Sequence, residues 1–214
     1  MPIHQALAAV LSEKSRFGQL LICRTNAGGF VVCHHDDENA RGLKVFRNPE
    51  DAIELARYDD SGNYRPLKTA PNLRRGWRLE VVDLGELQRA LDYFYPGRLA
   101  MFAAWTRNQL ETTPLRETLD RQTGMYRVAA KISDEQINDV VGKFCRSNGG
   151  CLRTILWKRD NGGEIPSTKL PAEKFDPVHD QTGRGETAIP LVCQEICSLL
   201  LNECRKAVKD EVHG

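Results

Sequence analysis

The sequence predicts an α+β chain built in two parts, and three observations carry that expectation. Residues 1–90 alternate short apolar runs, bounded by turn residues, with stretches of helical spacing. Residues 91–214 are dominated by helical spacing and helix-start signals, so this part should be mainly helical. Five of the seven cysteines (Cys145, Cys151, Cys193, Cys197 and Cys204) fall in the last third, which gives the second part its own chemistry.

Taken in order, Ile3, Leu7, Val10 and Leu11 recur at helical spacing and predict a helix over 3–14. GQLLICR and GFVVCHH flank Thr25-Asn26-Ala27-Gly28-Gly29 and read as two strands joined by a Gly-containing loop, with LKVF as a third strand. Asn48-Pro49-Glu50-Asp51 starts a helix: Asn at the cap, Pro at the first helical position, acids at the positive end of the dipole. YRPLKTAPNLRRGW has no hydrophobic period and reads as a connector, and WRLEVVD reads as a strand. Asp83 with Glu86 caps a helix over 84–95, which Pro96-Gly97 ends. Leu99, Phe102, Ala103 and Leu110 suggest another helix, and Thr113-Pro114 opens a short one. Ser133 with Gln136 forms a capping box for a helix whose buried face is Ile137, Val140, Val141 and Phe144. Residues 159–188 read as a long loop, and the last helix is expected to run from near Pro190 towards Lys209.

Composition excludes several function classes. Hydrophobic residues make up 41% and charged residues 28%, a globular balance rather than that of a disordered chain. Thirty basic and 29 acidic residues leave a net charge of +1, too neutral for a whole-surface nucleic-acid binder. No apolar run approaches the roughly 18 residues of a membrane helix and no signal peptide is evident, so no membrane partner and a cytoplasmic location are expected. Neither a G-x-S-x-G, a P-loop nor a dinucleotide fingerprint occurs, which leaves hydrolase, NTPase and Rossmann readings without support.

An odd number of cysteines without a secretion signal argues against a disulfide framework. The spacing is C-x5-C, 41 residues, then C-x3-C-x6-C. On the expected terminal helix, Cys193 and Cys197 would lie about 6 Å apart along the axis and about 40° apart in direction, close enough to grip one metal centre. Cys204 would lie about 16 Å from Cys193 along the same axis and is held in reserve. Cys145 closes a helix, and Asn148-Gly149-Gly150 lets the chain reverse towards Cys151. Four thiolates are a complete set for one tetrahedral zinc or one Fe–S cluster. Against this stands core packing, since cysteine is among the most buried residue types and Cys197 and Cys204 sit among Ile196, Leu200, Leu201 and Val208.

TPLRETLDRQTGMY, the GGCLRTILW stretch and PLVCQEIC followed by ECRKAVK resemble a 4Fe-4S cluster-binding domain of a Deinococcus-type family. In that family it accompanies a CbiX-type sirohydrochlorin cobaltochelatase domain of cobalamin synthesis. ARYDDSGNYRPLKTAPNLRRGW is similar to the stabilising domain that precedes it there. The resemblance implies a 4Fe-4S cluster on Cys145, Cys151, Cys193 and Cys197. The chain departs from that family in that 214 residues are expected to leave no room for a chelatase domain beside two accessory domains. The expected function is then a non-catalytic iron–sulfur accessory, redox or structural, in tetrapyrrole or cobalamin metabolism, working with a separate chelatase or redox partner. The alternatives are a zinc-stapled interaction module and a cluster-dependent redox enzyme.

Three further groups call for weighing. Cys33-His34-His35-Asp36-Asp37-Glu38 is rich in ligand types, but strand neighbours alternate faces, so a solvated strand end is the expectation. Arg65, Lys68, Arg74, Arg75 and Arg78 with Tyr64 and Trp77 could hold carboxylates or phosphates, or could pair with local acids. Trp105, Trp157 and Phe94-Tyr95 are expected in the core, where an aromatic can also shield a cluster from water.

Overall fold

The structure is a computed structural model that describes residues 2–56, 73–145, 154–157 and 186–212. Two compact units emerge. The first runs through Gln109 and takes back the segment ending at Leu191; the second begins at Leu110 and resumes at Val192.

The first unit is α+β. Its helices are α1 (Ile3–Val10), the short α2 (Ala52–Leu55), α3 (Leu84–Phe94) and α4 (Arg98–Thr106). Its strands are β1 (Lys14–Phe17), β2 (Leu20–Arg24), β3 (Phe30–His34), β4 (Lys44–Phe46), β5 (Trp77–Val81) and, from far along the chain, β7 (Thr187–Ile189). They form one six-stranded sheet in the order β4-β5-β3-β2-β1-β7. The four inner strands are antiparallel to one another, and each edge strand pairs parallel. Trp77, Leu79 and Val81 alternate inward on β5, as do Leu20 and Ile22 on β2 and Phe30 and Val32 on β3. This face packs on Leu7 of α1, Leu87, Ala90, Leu91 and Phe94 of α3, and Leu99 and Phe102 of α4.

Local chemistry explains the entries and turns. The Asn48 side chain accepts from Glu50 N–H at 3.2 Å, Asp83 Oδ1 accepts from Glu86 N–H at 2.8 Å, and Glu86 Oε2 accepts from Val82 N–H at 3.0 Å. Gly18 turns β1 into β2 at φ +62°, and a Cβ there would stand 2.6 Å from Tyr95 Oη. That hydroxyl also accepts from Gln19 N–H at 3.0 Å, so the hairpin tip is tied to the end of α3. Both α3 and α4 belong to the first core.

The second unit contains α5 (Leu115–Asp120), a 3-10 segment Gly124–Lys131, α6 (Asp134–Cys145), β6 (Thr154–Ile155), β8 (Val192–Cys193) and α7 (Ser198–Val212). The expected capping box is present: Gln136 N–H donates to Ser133 Oγ at 3.2 Å, and Ser133 N–H donates to Gln136 Oε1 at 2.9 Å. Two expectations need correction. The first helix stops at Val10, because β1 follows it within four residues. The terminal helix begins at Ser198, not near Pro190. Thr187, Ile189 and Val192 instead lie in extended chain, Pro190 favours extension in the residue before it, and β8 pairs parallel with β6. Of the loop expected over 159–188, residues 159–185 lie outside the described residues, and Thr187 belongs to β7.

Candidate metal centre

The second core gathers cysteines from three elements. Cys145 ends α6 and Cys193 ends β8, each under one tenth exposed; Cys197 packs at the edge of the same core, and Cys204 on α7 is fully buried. Leu115, Leu119, Ile137, Val141, Ile196, Leu200, Leu201 and Trp157 supply the surrounding apolar wall. Cys151 lies outside the described residues. Three of the four anticipated ligands therefore share one core, although Cys193 and Cys197 do so without sharing a helical turn.

Each position has a local cause. The capping box fixes the start of α6, and Ile137 and Val141 bury its inner face, which carries the helix end to Cys145. Cys193 is held through its backbone: its carbonyl accepts from Leu156 N–H at 2.9 Å, and the next carbonyl, Gln194 O, accepts from Thr113 N–H at 3.0 Å. The Cys193 thiol donates to Glu195 O at 3.1 Å. Cys197 stands at the cap position of α7. Its carbonyl accepts from Leu201 N–H at 2.9 Å, and its sulfur accepts from Leu200 N–H at 3.5 Å. The first turn of α7 thus presents a backbone donor to that sulfur. Cys204 differs: burial, the largest cause, pushes its thiol up to about 12, and the neighbouring Cys197 adds to the rise. Arg116 braces the frame, donating to Ala130 O at 2.9 Å and Ile132 O at 3.2 Å beside Asp134.

Trp157 bears most directly on what the core can hold. The residue is 2% exposed, yet its Nε1–H has no hydrogen-bond partner among the described residues. A buried donor left unpaired costs about 1–3 kcal/mol, and buried indoles ordinarily find an acceptor. A sulfur-rich anionic group would supply one. The donor set of soft thiols in a dry apolar setting, a helix start aimed at one sulfur and an unanswered N–H fits an iron–sulfur centre. Sequence reasoning placed Trp157 in the core but carried no signal for its unpaired N–H. Nor did it anticipate Cys197 as a cap, since sulfur is not a customary capping atom.

The other candidates resolve differently. Strand β3 ends at His34 and a 3-10 turn (His35–Asp37) follows, so the His34 and His35 rings stack at 4.6 Å. That bend brings ligand atoms of His34, His35 and Asp36 within 4.8 Å of one another, against the strand-alternation expectation. These groups have structural work: His34 Nδ1 accepts from Asp36 N–H at 3.1 Å, Asp36 pairs with Arg75 at 3.1 Å, and Asp37 accepts from Gly76 N–H at 2.7 Å. Of the basic stretch, Tyr64, Arg65 and Lys68 lie outside the described residues. Arg75 and Arg78 pair with Asp36 and Glu80, and Trp77 is buried against Phe94. No described helix is long and apolar enough to cross a membrane.

Comparison with known proteins completes the description. Residues 3–109 match the DR2241 stabilising domain, and residues 107–206 match a 4Fe-4S iron-sulfur cluster binding domain. Among solved structures, 97% of the chain superposes on DR2241 from Deinococcus radiodurans with a TM-score of 0.70 and 25% identity. That protein is described as multi-domain, with structural similarity to chelatases and two additional novel domains. The present chain spans 41% of its length. None of the curated proteins compared matches.

Proposed function

We propose that this chain, which belongs to the DR2241 stabilising-domain family and continues into a 4Fe-4S cluster binding domain, serves as a non-catalytic iron–sulfur accessory to a tetrapyrrole chelatase. Cys145, Cys151, Cys193 and Cys197 hold the cluster in this reading. The observation that carries it is the extent of the match: nearly all of this chain superposes on less than half of a protein with structural similarity to chelatases. The cluster, when bound, supplies one-electron chemistry at a potential within roughly −700 to +450 mV.

The chain's own residues set the conditions for that chemistry. The wall of Leu115, Leu119, Ile137 and Leu200 keeps water from the sulfurs and lowers the local dielectric. Leu200 N–H donates to the Cys197 sulfur and holds it at the start of α7, and loading requires Cys193 to release the proton it now donates to Glu195 O. Cys204 remains a protonated core thiol. The partner is a chelatase or a redox protein.

The test uses the protein purified without oxygen together with a sirohydrochlorin-type chelatase, its tetrapyrrole and a divalent metal. Metal insertion should respond to the oxidised, reduced or cluster-free state of this chain, and the chain alone should insert none. Insertion by the chain alone, or a rate indifferent to its presence in every state, would contradict the accessory reading.

A further inference from the structure

The two buried indoles offer a contrast. Trp77 lies in the first core and its Nε1–H donates to Arg74 O at 2.6 Å. Trp157 is equally buried in the second core, and among the described residues its Nε1–H meets no acceptor. Trp157 lies two residues beyond the end of β6. Ile155 of that strand is registered against Cys193, and Leu156 N–H donates to the Cys193 carbonyl. Trp157 shares its hydrophobic cluster with Cys145, Cys193, Cys197 and Cys204. The apolar side chains of this cluster, among them Leu115, Ile137, Val141 and Leu200, offer no acceptor, whereas its cysteines do once deprotonated.

We propose that the Trp157 indole N–H donates a hydrogen bond to sulfur at the bound cluster and thereby raises its reduction potential. The inference rests on the cluster reading above. Its physical basis is charge: a donor stabilises the electron-richer reduced state more than the oxidised one, so removing it should make reduction harder. Trp157 is a positioning and tuning residue in this account, with no part in bond making.

The test uses the full chain with its cluster, prepared with isotopically labelled indole nitrogen and brought to a paramagnetic state. Pulsed EPR should show a weak coupling between cluster and labelled nitrogen that disappears in W157F. W157F should retain iron and sulfide while its reduction potential moves to a more negative value. Cluster-loaded wild-type protein without the coupling overturns this proposal alone, whatever the fate of the variant. W157F with unchanged coupling and potential does the same. Wild-type protein purified without iron or sulfide overturns both the proposal and the cluster reading beneath it.

Discussion

In the first unit Phe17, Trp77, Phe94 and Phe102 are buried almost completely, and its buried indole N–H and tyrosine hydroxyl both meet backbone partners. In the second unit Cys145, Cys193 and Cys204 take up core positions, and the buried indole N–H has no partner among the described residues. The contrast separates two ways of completing a fold. Aromatic and aliphatic burial suffices for the sheet and its helices. The second unit brings together thiols and a buried donor that, among the described residues, has no partner, and an iron–sulfur group bound there would couple its folding to its cofactor.

The largest effect that sharpens this contrast is cluster removal. Chelation of iron from the full chain should strip hydrogen-exchange protection from α6 and α7 while β2, β3 and β5 keep theirs. Equal loss in both units would break the distinction. Next is Phe94→Ala, which opens a void beneath Trp77, stacked on it at 5.2 Å, and should cost about 3–5 kcal/mol in denaturant unfolding of the first unit. Iron and sulfide content should be unchanged. The smallest effect is alkaline. Burial pushes the Cys33 thiol up to about 12 from 9.0, so the unfolded chain loses this proton first. The first unit's stability is then undiminished below about pH 9 and falls as pH rises towards 12. C33A should flatten that decline, leaving a remainder from Cys23, whose thiol burial also raises.

Much of this was legible from residues because the signals are local. Asn48, Asp83 and Ser133 announce their helices through caps that form as expected. Strand β1 was missed because Lys-Ser-Arg-Phe has no apolar run, and β7 because its partner lies more than 160 residues earlier in the chain. No short window carries a pairing so distant. The i, i+4 spacing of Cys193 and Cys197 fits a helix as well as it fits a strand end followed by a cap; Pro190 and the pairing of β8 with β6 decide for the latter. That Cys145, Cys193 and Cys197 share one core is read from the structure, with Cys151 outside the described residues, and the local geometry that joins them carried no signal in the sequence. Trp157 was foreseeable as buried, but an unpaired atom shows only once the neighbours are placed.

The most direct measurement is iron, acid-labile sulfide and zinc in protein purified without oxygen, for the wild type and for C145S, C151S, C193S, C197S and C204S. The account predicts iron and sulfide in equal amounts and no zinc in the wild type, loss of both in the first four variants, and retention in C204S. Stoichiometric zinc without sulfide in the wild type, or a cluster that survives C197S and is lost in C204S, would contradict it.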